Sequence, residues 1–472
     1  MLFNSFAFMV FLPVVFVIYW FVVGRNLKLQ NAFVLAASYF FYGWWDWRFL
    51  SLLFASSVID LLLGQGIVRC RTDAQKKWLV TFSILINLTL LGFFKYFNFF
   101  IEGMDDLLSM VGFQANLPTL RVILPIGISF YTFQSLGYVI DVYRGHVKPG
   151  KDPVTFLAFV SFFPQLVAGP IERAKDLLTQ FQRPRVFEIE AANDGLRRML
   201  WGFFKKIVIA DNCATISDAI FAGDPATTPG ITLFFGAFFF AFQIYGDFSG
   251  YSDIAIGCAR LFGFKLSQNF NYPYFSRSIP EFWRRWHISL SSWFRDYLYI
   301  PLGGYNTKWG RLRNVMITFT VSGFWHGANW TYMAWGALHG TYFIPEKDRA
   351  KRPAKVPQLS EFRQIASTFL LVTFAWIFFR ATSIHAALDH FKYMVLNIGE
   401  SLGAIVLYCW RFEMAFILML IIVEWRSRTD AYAMASMPRA LVLRWCIYIF
   451  MIYAVVLNIN MRSTHEFIYF QF

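Results

Sequence analysis

Residues 322 to 340 read SGFWHGANWTYMAWGALHG, inside an apolar run from Val315 to Phe343 that is long enough to cross a bilayer. An ionisable side chain at membrane depth costs about 2.5 kcal/mol or more when charged, so it faces protein or water and marks function. This stretch carries two, His326 and His339. Gly323 and Gly327 flank His326 and let backbone or substrate approach closely, and Asn329 offers a neutral donor one turn on. His326 is therefore the leading candidate for a catalytic residue. Read as one straight helix at ~100° per residue, the run puts Asn329 and Trp330 on the face of His326 and His339 ~220° away from it. On that reading the two histidines do not form one site. His339 is then a packing residue that bridges helices by hydrogen bonds, a role that stays open for His326 too.

The rest of the chain resembles this stretch in composition. Of 472 residues, 57% are hydrophobic, 20% aromatic and only 15% charged, with a mean hydropathy of +0.46. A soluble globule carries about 25% charge. Apolar runs of about 20 residues recur from end to end, which predicts an all-α, polytopic integral membrane protein. We expect about 11–13 transmembrane helices plus interfacial and re-entrant helices. They form one membrane domain over 1–472, with N-terminal spans to 115, core motifs over 116–345 and C-terminal spans beyond. The net charge of +14 does not point to nucleic acid. Its basic residues lie in short clusters between runs, Arg69, Arg71, Lys76, Lys77 and Lys347, Arg349, Lys351, Arg352, Lys355, as the positive-inside pattern requires. The first run starts at Leu2 with no basic leader and shows no A-x-A cleavage site, so it reads as an uncleaved span to Val23. The five cysteines have no C-x-x-C spacing and imply neither a disulfide framework nor a zinc site.

Further spans are predicted at Asn31–Trp45, Leu50–Val68, Trp78–Ile101 and Val122–Val142, with Trp44, Trp45 and Trp47 as an interfacial belt. Pro125, Gly127, Ser129, Gln134 and Gly137 suit close helix packing in lipid. Phe156–Val167 is too short to span if Gly169 and Pro170 end it, so Pro164–Pro170 reads as a re-entrant or broken segment. Leu196–Ile209 mixes Arg197, Arg198, Lys205 and Lys206 with apolar residues and is expected to lie on, or enter from, the cytoplasmic face. Ile231–Gly246 runs into DFSGYSD at Asp247–Asp253. Its carboxylates read as a proton relay, a metal site or a capped helix boundary. The lack of ligand-spaced partners favours the last. Spans at Ile365–Phe379, Ile405–Val423 and Leu441–Val456 complete the chain.

Ser278 to Leu298 is the second informative stretch. Ser278 with Glu281 makes a capping-box pattern and Pro280 suits a first turn, so a helix is predicted to start there. On it Trp283, Trp286, Leu290, Trp293, Phe294 and Tyr297 share one face, Arg285, Ser289, Ser292 and Asp296 the other, and His287 the flank. Such a helix lies at the membrane interface, with His287 inward and its arginines toward headgroups or an anionic ligand. Trp283, Arg284 and Arg285 are the candidate binding residues for such a ligand. Asn329 and Asp296 are supporting ones.

PEFWRRWHISLSSWFRDYLYIPLGG (Pro280–Gly304) and FWHGANWTYMAWGALHG (Phe324–Gly340) resemble the membrane-bound O-acyltransferases, in particular their bacterial alginate O-acetyltransferase branch. LPIGISFYTFQSLGYVIDVYRG (Leu124–Gly145), FFPQLVAGPIERAKDL (Phe162–Leu177), DFSGYSDIAIG (Asp247–Gly257) and the final FIYFQF are similar to that branch as well. The resemblance implies a multi-helix ring with a thinned centre in the bacterial inner membrane. It implies a catalytic His326 and a second motif histidine, His287. It further implies acetyl-CoA as cytosolic donor and an extracytoplasmic polysaccharide as acceptor, reached through a partner protein. Transfer of D-alanine to teichoic acid is the related enzymatic alternative. A transporter or flippase is the non-enzymatic one, although the chain shows no internal repeat. The chemistry suits a histidine. A thioester releases a thiol of pKa about 8.5 that needs little acid help, whereas the hydroxyl must lose a proton, and an imidazole of pKa about 6.5 accepts it at neutral pH. No metal is needed.

Overall fold

In the computed structural model the described residues are 1–113, 123–167, 169–304, 308–344, 359–400, 402–409, 411–459 and 467–468. Among them the chain is helical, without strands. Five helical stretches are long and apolar enough to cross a membrane: Leu27–Arg69, Asp73–Met110, Gly230–Leu261, Leu359–Arg380 and Leu441–Asn458, with shorter apolar helices at Phe6–Val22 and Pro153–Leu166. The protein is a polytopic membrane protein. The basic cluster Lys347–Lys355 lies outside the described residues.

The chain divides into two compact units. The first holds Met1–Ala192 with Cys258–Ser267. Its helices start where short polar side chains cap them. Asn26 accepts from the Lys28 and Leu29 amides, Thr72 and Gln75 form a reciprocal capping box, and Asp152 accepts from the Thr155 amide. Polar groups buried between apolar helices are satisfied there: Asp60 accepts from Ser83 at 2.6 Å and from Asn87 at 3.0 Å. The break expected at Pro164–Pro170 begins earlier, at Phe162. A helix over Pro153–Ser161 stops at Phe162, and a single turn follows at Phe163–Leu166. The predicted Val122 span is shorter than expected: its helix covers Ile128–Tyr143 and begins after Gly127, whose φ of 75° suits glycine. Trp44, Trp45 and Trp47 are exposed on the protein surface.

The second unit holds Asn193–Gly257 and Gln268–Phe472. Here two expectations are overturned. DFSGYSD is not a helix boundary, because Asp247 and Asp253 sit inside the 32-residue helix Gly230–Leu261. Nor are the basic residues of Leu196–Ile209 surface groups as a set, because Arg198, Lys205 and Lys206 are buried and Arg197 alone is partly exposed. Lys205 and Lys206 are buried in a π-helical segment, Phe204–Ala210, that continues the helix Ile189–Phe203. Both errors have one cause, because these charges pair with each other. Asp253 takes Arg198 at 2.7 Å and Lys205 at 2.6 Å, while Lys206 reaches Asp247 at 2.8 Å and Asp211 at 2.7 Å. Glycines bring the backbones together for this. A Cβ on Gly202 would lie 2.6 Å from the Gly250 carbonyl oxygen, and one on Gly257 2.4 Å from that of Gly195.

Candidate active site

All of the site's groups belong to the second unit. The apolar run around His326 is not one helix. A helix over Lys308–His326 ends at the histidine, and another over Trp330–Phe343 turns back along it. Asn329 starts the return helix by accepting from the Thr331 amide at 3.0 Å, and its Nδ2 donates to the Thr382 carbonyl at 3.1 Å. Gly323 and Gly336 allow the close contact. A Cβ on Gly323 would fall 2.1 Å from the Tyr332 carbonyl oxygen, and one on Gly336 2.2 Å from that of Phe319. The hairpin reverses the expectation for the two histidines. His326 and His339, on opposite faces of a straight helix, converge on one ring, with centroids 5.2 and 5.0 Å from Trp335.

The Ser278–Leu298 stretch is likewise broken. Ser278 caps a short helix, Ile279–Trp283, accepting from the Glu281 amide at 3.3 Å. The capping box is half formed, because Glu281 reaches back to the Arg277 amide at 2.9 Å. The chain then kinks at His287, whose φ of 42° and ψ of 55° are left-handed, before a second helix over Ile288–Phe294. The neighbouring segment holds the kink from both sides, with Asn271 N–H donating to the Arg285 carbonyl and Ile288 N–H to that of Asn269, each at 2.9 Å. A straight amphipathic helix is therefore not what positions His287. It lies fully buried, edge-on to Phe248 with ring centroids 4.6 Å apart and 6.2 Å from Trp325. Trp325 in turn is 5.0 Å from His326.

Three buried imidazoles thus share one wall of aromatic rings: Trp283, Trp286, Trp325, Trp335, Trp376 and Phe379. Trp283, expected on the donor side, donates through Nε1 to His339 Nδ1 at 3.3 Å. Arg285 pairs with Glu281 at 2.6 Å, and Arg277 joins the same carboxylate at 3.0 Å. Burial alone would raise the Glu281 carboxyl, but the hydrogen bonds and charges of Arg277 and Arg285 hold it below the usual carboxylate range. Arg284 is exposed, and Asp296 pairs with Arg295 at 2.8 Å. Neither Asp296 nor Asn329 makes its described hydrogen bonds to a histidine. Ser289, expected on the polar face, is buried and bonds to Asn269. Among the described residues, no three His, Cys, Asp or Glu side chains cluster as metal ligands.

A sequence profile of the membrane-bound O-acyltransferase family matches residues 148–387, which include every histidine of this site. The chain belongs to the membrane-bound O-acyltransferase family. It is an O-acyltransferase. Relatives agree with the profile. A protein named "Probable alginate O-acetylase AlgI" from Azotobacter vinelandii is 43% identical over 391 residues, 82% of this chain and 76% of its own length. A "Peptidoglycan O-acetyltransferase" from Helicobacter pylori is 36% identical over 437 residues, 85% of this chain and 81% of its own. A "Teichoic acid D-alanyltransferase" from Streptococcus thermophilus is 32% identical over a shorter match of 234 residues, 46% of this chain and 55% of its own.

Proposed function

We propose that this O-acyltransferase sits in the bacterial inner membrane and moves acetyl groups from cytosolic acetyl-CoA to hydroxyls of an extracytoplasmic polysaccharide, by way of a partner protein. The relatives named for O-acetylation of alginate and of peptidoglycan match over more of the chain than the D-alanyltransferase does, which supports acetyl as the group transferred. One observation carries the chemistry: His326 terminates its helix at a glycine-lined turn, against a wall of aromatic rings, with only 2% of its surface exposed.

At such a position a neutral imidazole takes the proton of the attacking hydroxyl as the oxygen adds to the thioester carbonyl. The C–S bond then breaks and CoA leaves as a thiol or thiolate. The surrounding tryptophans exclude water that would otherwise hydrolyse the donor. His287 serves the donor side of the same cluster. Trp283, Arg284 and Arg285 shape the approach to it. Asn329 supports His326 by holding the start of the return helix, and Asp296 supports the turn beyond Phe294.

Purified protein in liposomes, with labelled acetyl-CoA enclosed, tests the reading. Release of free CoA inside and label on an external hydroxyl acceptor, the partner protein or a small soluble stand-in for it, both lost in His326→Ala, is the expected outcome. Movement of intact acetyl-CoA across the bilayer, or full transfer by His326→Ala, would overturn it.

A further inference from the structure

Two of the site's histidines, His287 and His339, are chemically unlike, and the difference is readable from their hydrogen bonds. His287 Nδ1 lies 3.1 Å from Asn269 Oδ1. Which amide atom faces the imidazole is settled by a third group. The same Oδ1 accepts from the Ser289 backbone N–H at 3.2 Å, a donor that cannot be reversed, and from Ser289 Oγ at 2.9 Å. A carbonyl oxygen only accepts, so His287 Nδ1 must carry the proton, and Nε2 presents its lone pair. His339 is the opposite case. Trp283 Nε1–H can only donate, so His339 Nδ1 accepts and its proton sits on Nε2.

We propose that Asn269 is a positioning residue that locks His287 in the Nδ1–H tautomer, making it a hydrogen-bond acceptor at Nε2 toward a substrate N–H or O–H. This deepens the function proposed above and rests on it for the identity of the substrates. The lock is built into the backbone. Asn269 is fully buried, its own carbonyl accepts from Ile288 N–H at 2.9 Å, and the residue immediately before Ile288 is the left-handed His287. A non-glycine residue with positive φ persists only where its surroundings over-determine it, and such strain gathers at functional sites. The Asn269 side-chain amide holds the ring, and its backbone carbonyl, with the Asn271 N–H on the other side, holds the kink that carries it. No sequence periodicity points to Asn269, because it lies in an irregular segment between Phe264 and Pro273.

The test is spectroscopic and does not depend on turnover. In protein labelled with ¹⁵N-histidine and held in detergent micelles, the His287 signals, assigned by their loss in His287→Gln, should show a protonated Nδ1 and an unprotonated Nε2. Asn269→Asp keeps an acceptor in place and should retain both this pattern and most of the activity. Asn269→Leu should lose the pattern and lower kcat/KM by up to about tenfold, no more than removal of His287 itself. A protonated Nε2 in the unmodified protein overturns the proposal. So does equal impairment of the Asp and Leu variants, which would make Asn269 a packing residue only. A failure of the acetyl-CoA assay alone would overturn the proposed substrates and leave the tautomer result standing.

Discussion

Two helix crossings in the second unit use the same device for opposite ends. In the crossing of Ile189–Ala210 with Gly230–Gly257, glycines admit close backbones and every buried charge has a counter-charge. In the hairpin of Lys308–His326 and Trp330–Phe343, glycines again admit close backbones, but among the described residues the buried basic groups are the imidazoles of His326 and His339. A buried, paired charge is costly to change and has no spare capacity, since its attraction to the partner offsets its own desolvation. A neutral imidazole is cheaper to bury and keeps one nitrogen for chemistry. Structure is held where polar groups are spent on one another. Reaction is expected where the buried group is a neutral base.

The comparison breaks most sharply at His326. His326→Ala should leave the protein folded and monodisperse while transfer falls by about 10²–10⁴-fold, the contribution of a positioned base. Full activity in well-folded protein would move the catalytic role elsewhere. Asp253→Asn should do the reverse, leaving Arg198 and Lys205 without their carboxylate and costing about 3–5 kcal/mol, read as a loss of monodisperse protein or of thermal stability in detergent. An unchanged melting temperature would mean that these charges are not essential to the crossing.

Smaller steps test the shared glycine device. Gly202→Ala and Gly336→Ala each drive a methyl into a carbonyl oxygen, at 2.6 and 2.2 Å, and should each cost about 1–3 kcal/mol. Gly403→Ala, which meets nothing within 4 Å, should not destabilise. Equal stability of all three would remove close approach as the explanation. The smallest effect is expected for His287→Ala: a donor KM raised up to about tenfold with the fold retained. A large loss of thermal stability with unchanged donor KM would show that His287 only fastens its segment.

The helical, membrane-embedded character and several helix positions were legible because long apolar runs need no partner to be recognised. Leu50–Val68 was expected and Leu50–Arg69 is found, and Leu441–Val456 extends only to Asn458. The candidate site was legible as residue types and not as geometry. His326 stands out because an ionisable group in an apolar run is rare, but the break beside it depends on Asn329 capping a new helix inside an unbroken apolar stretch. Asp247 and Asp253 were misread because their partners lie tens of residues upstream, and periodicity along one helix carries no information about a neighbouring one. Asn269 left no signal, since its role depends on meeting His287 and Ser289 across a kink that no local pattern encodes.

The amide of Ile468 donates to Asp247 Oδ2 at 2.7 Å across 221 residues, while Phe467 packs on Tyr251 with ring centroids 4.5 Å apart. Asp247 is thus surrounded in stages as the ribosome advances. Lys206 is already made when the aspartate emerges, but the last ligand of the carboxylate is still 221 codons away. At about 5–20 residues per second, that interval is about 10–45 s. For that time the Gly230–Leu261 helix is in the translocation machinery or the bilayer with an incompletely satisfied carboxylate. The half-assembled crossing is therefore a stage at which quality-control proteases can distinguish nascent chains that will finish from those that will not.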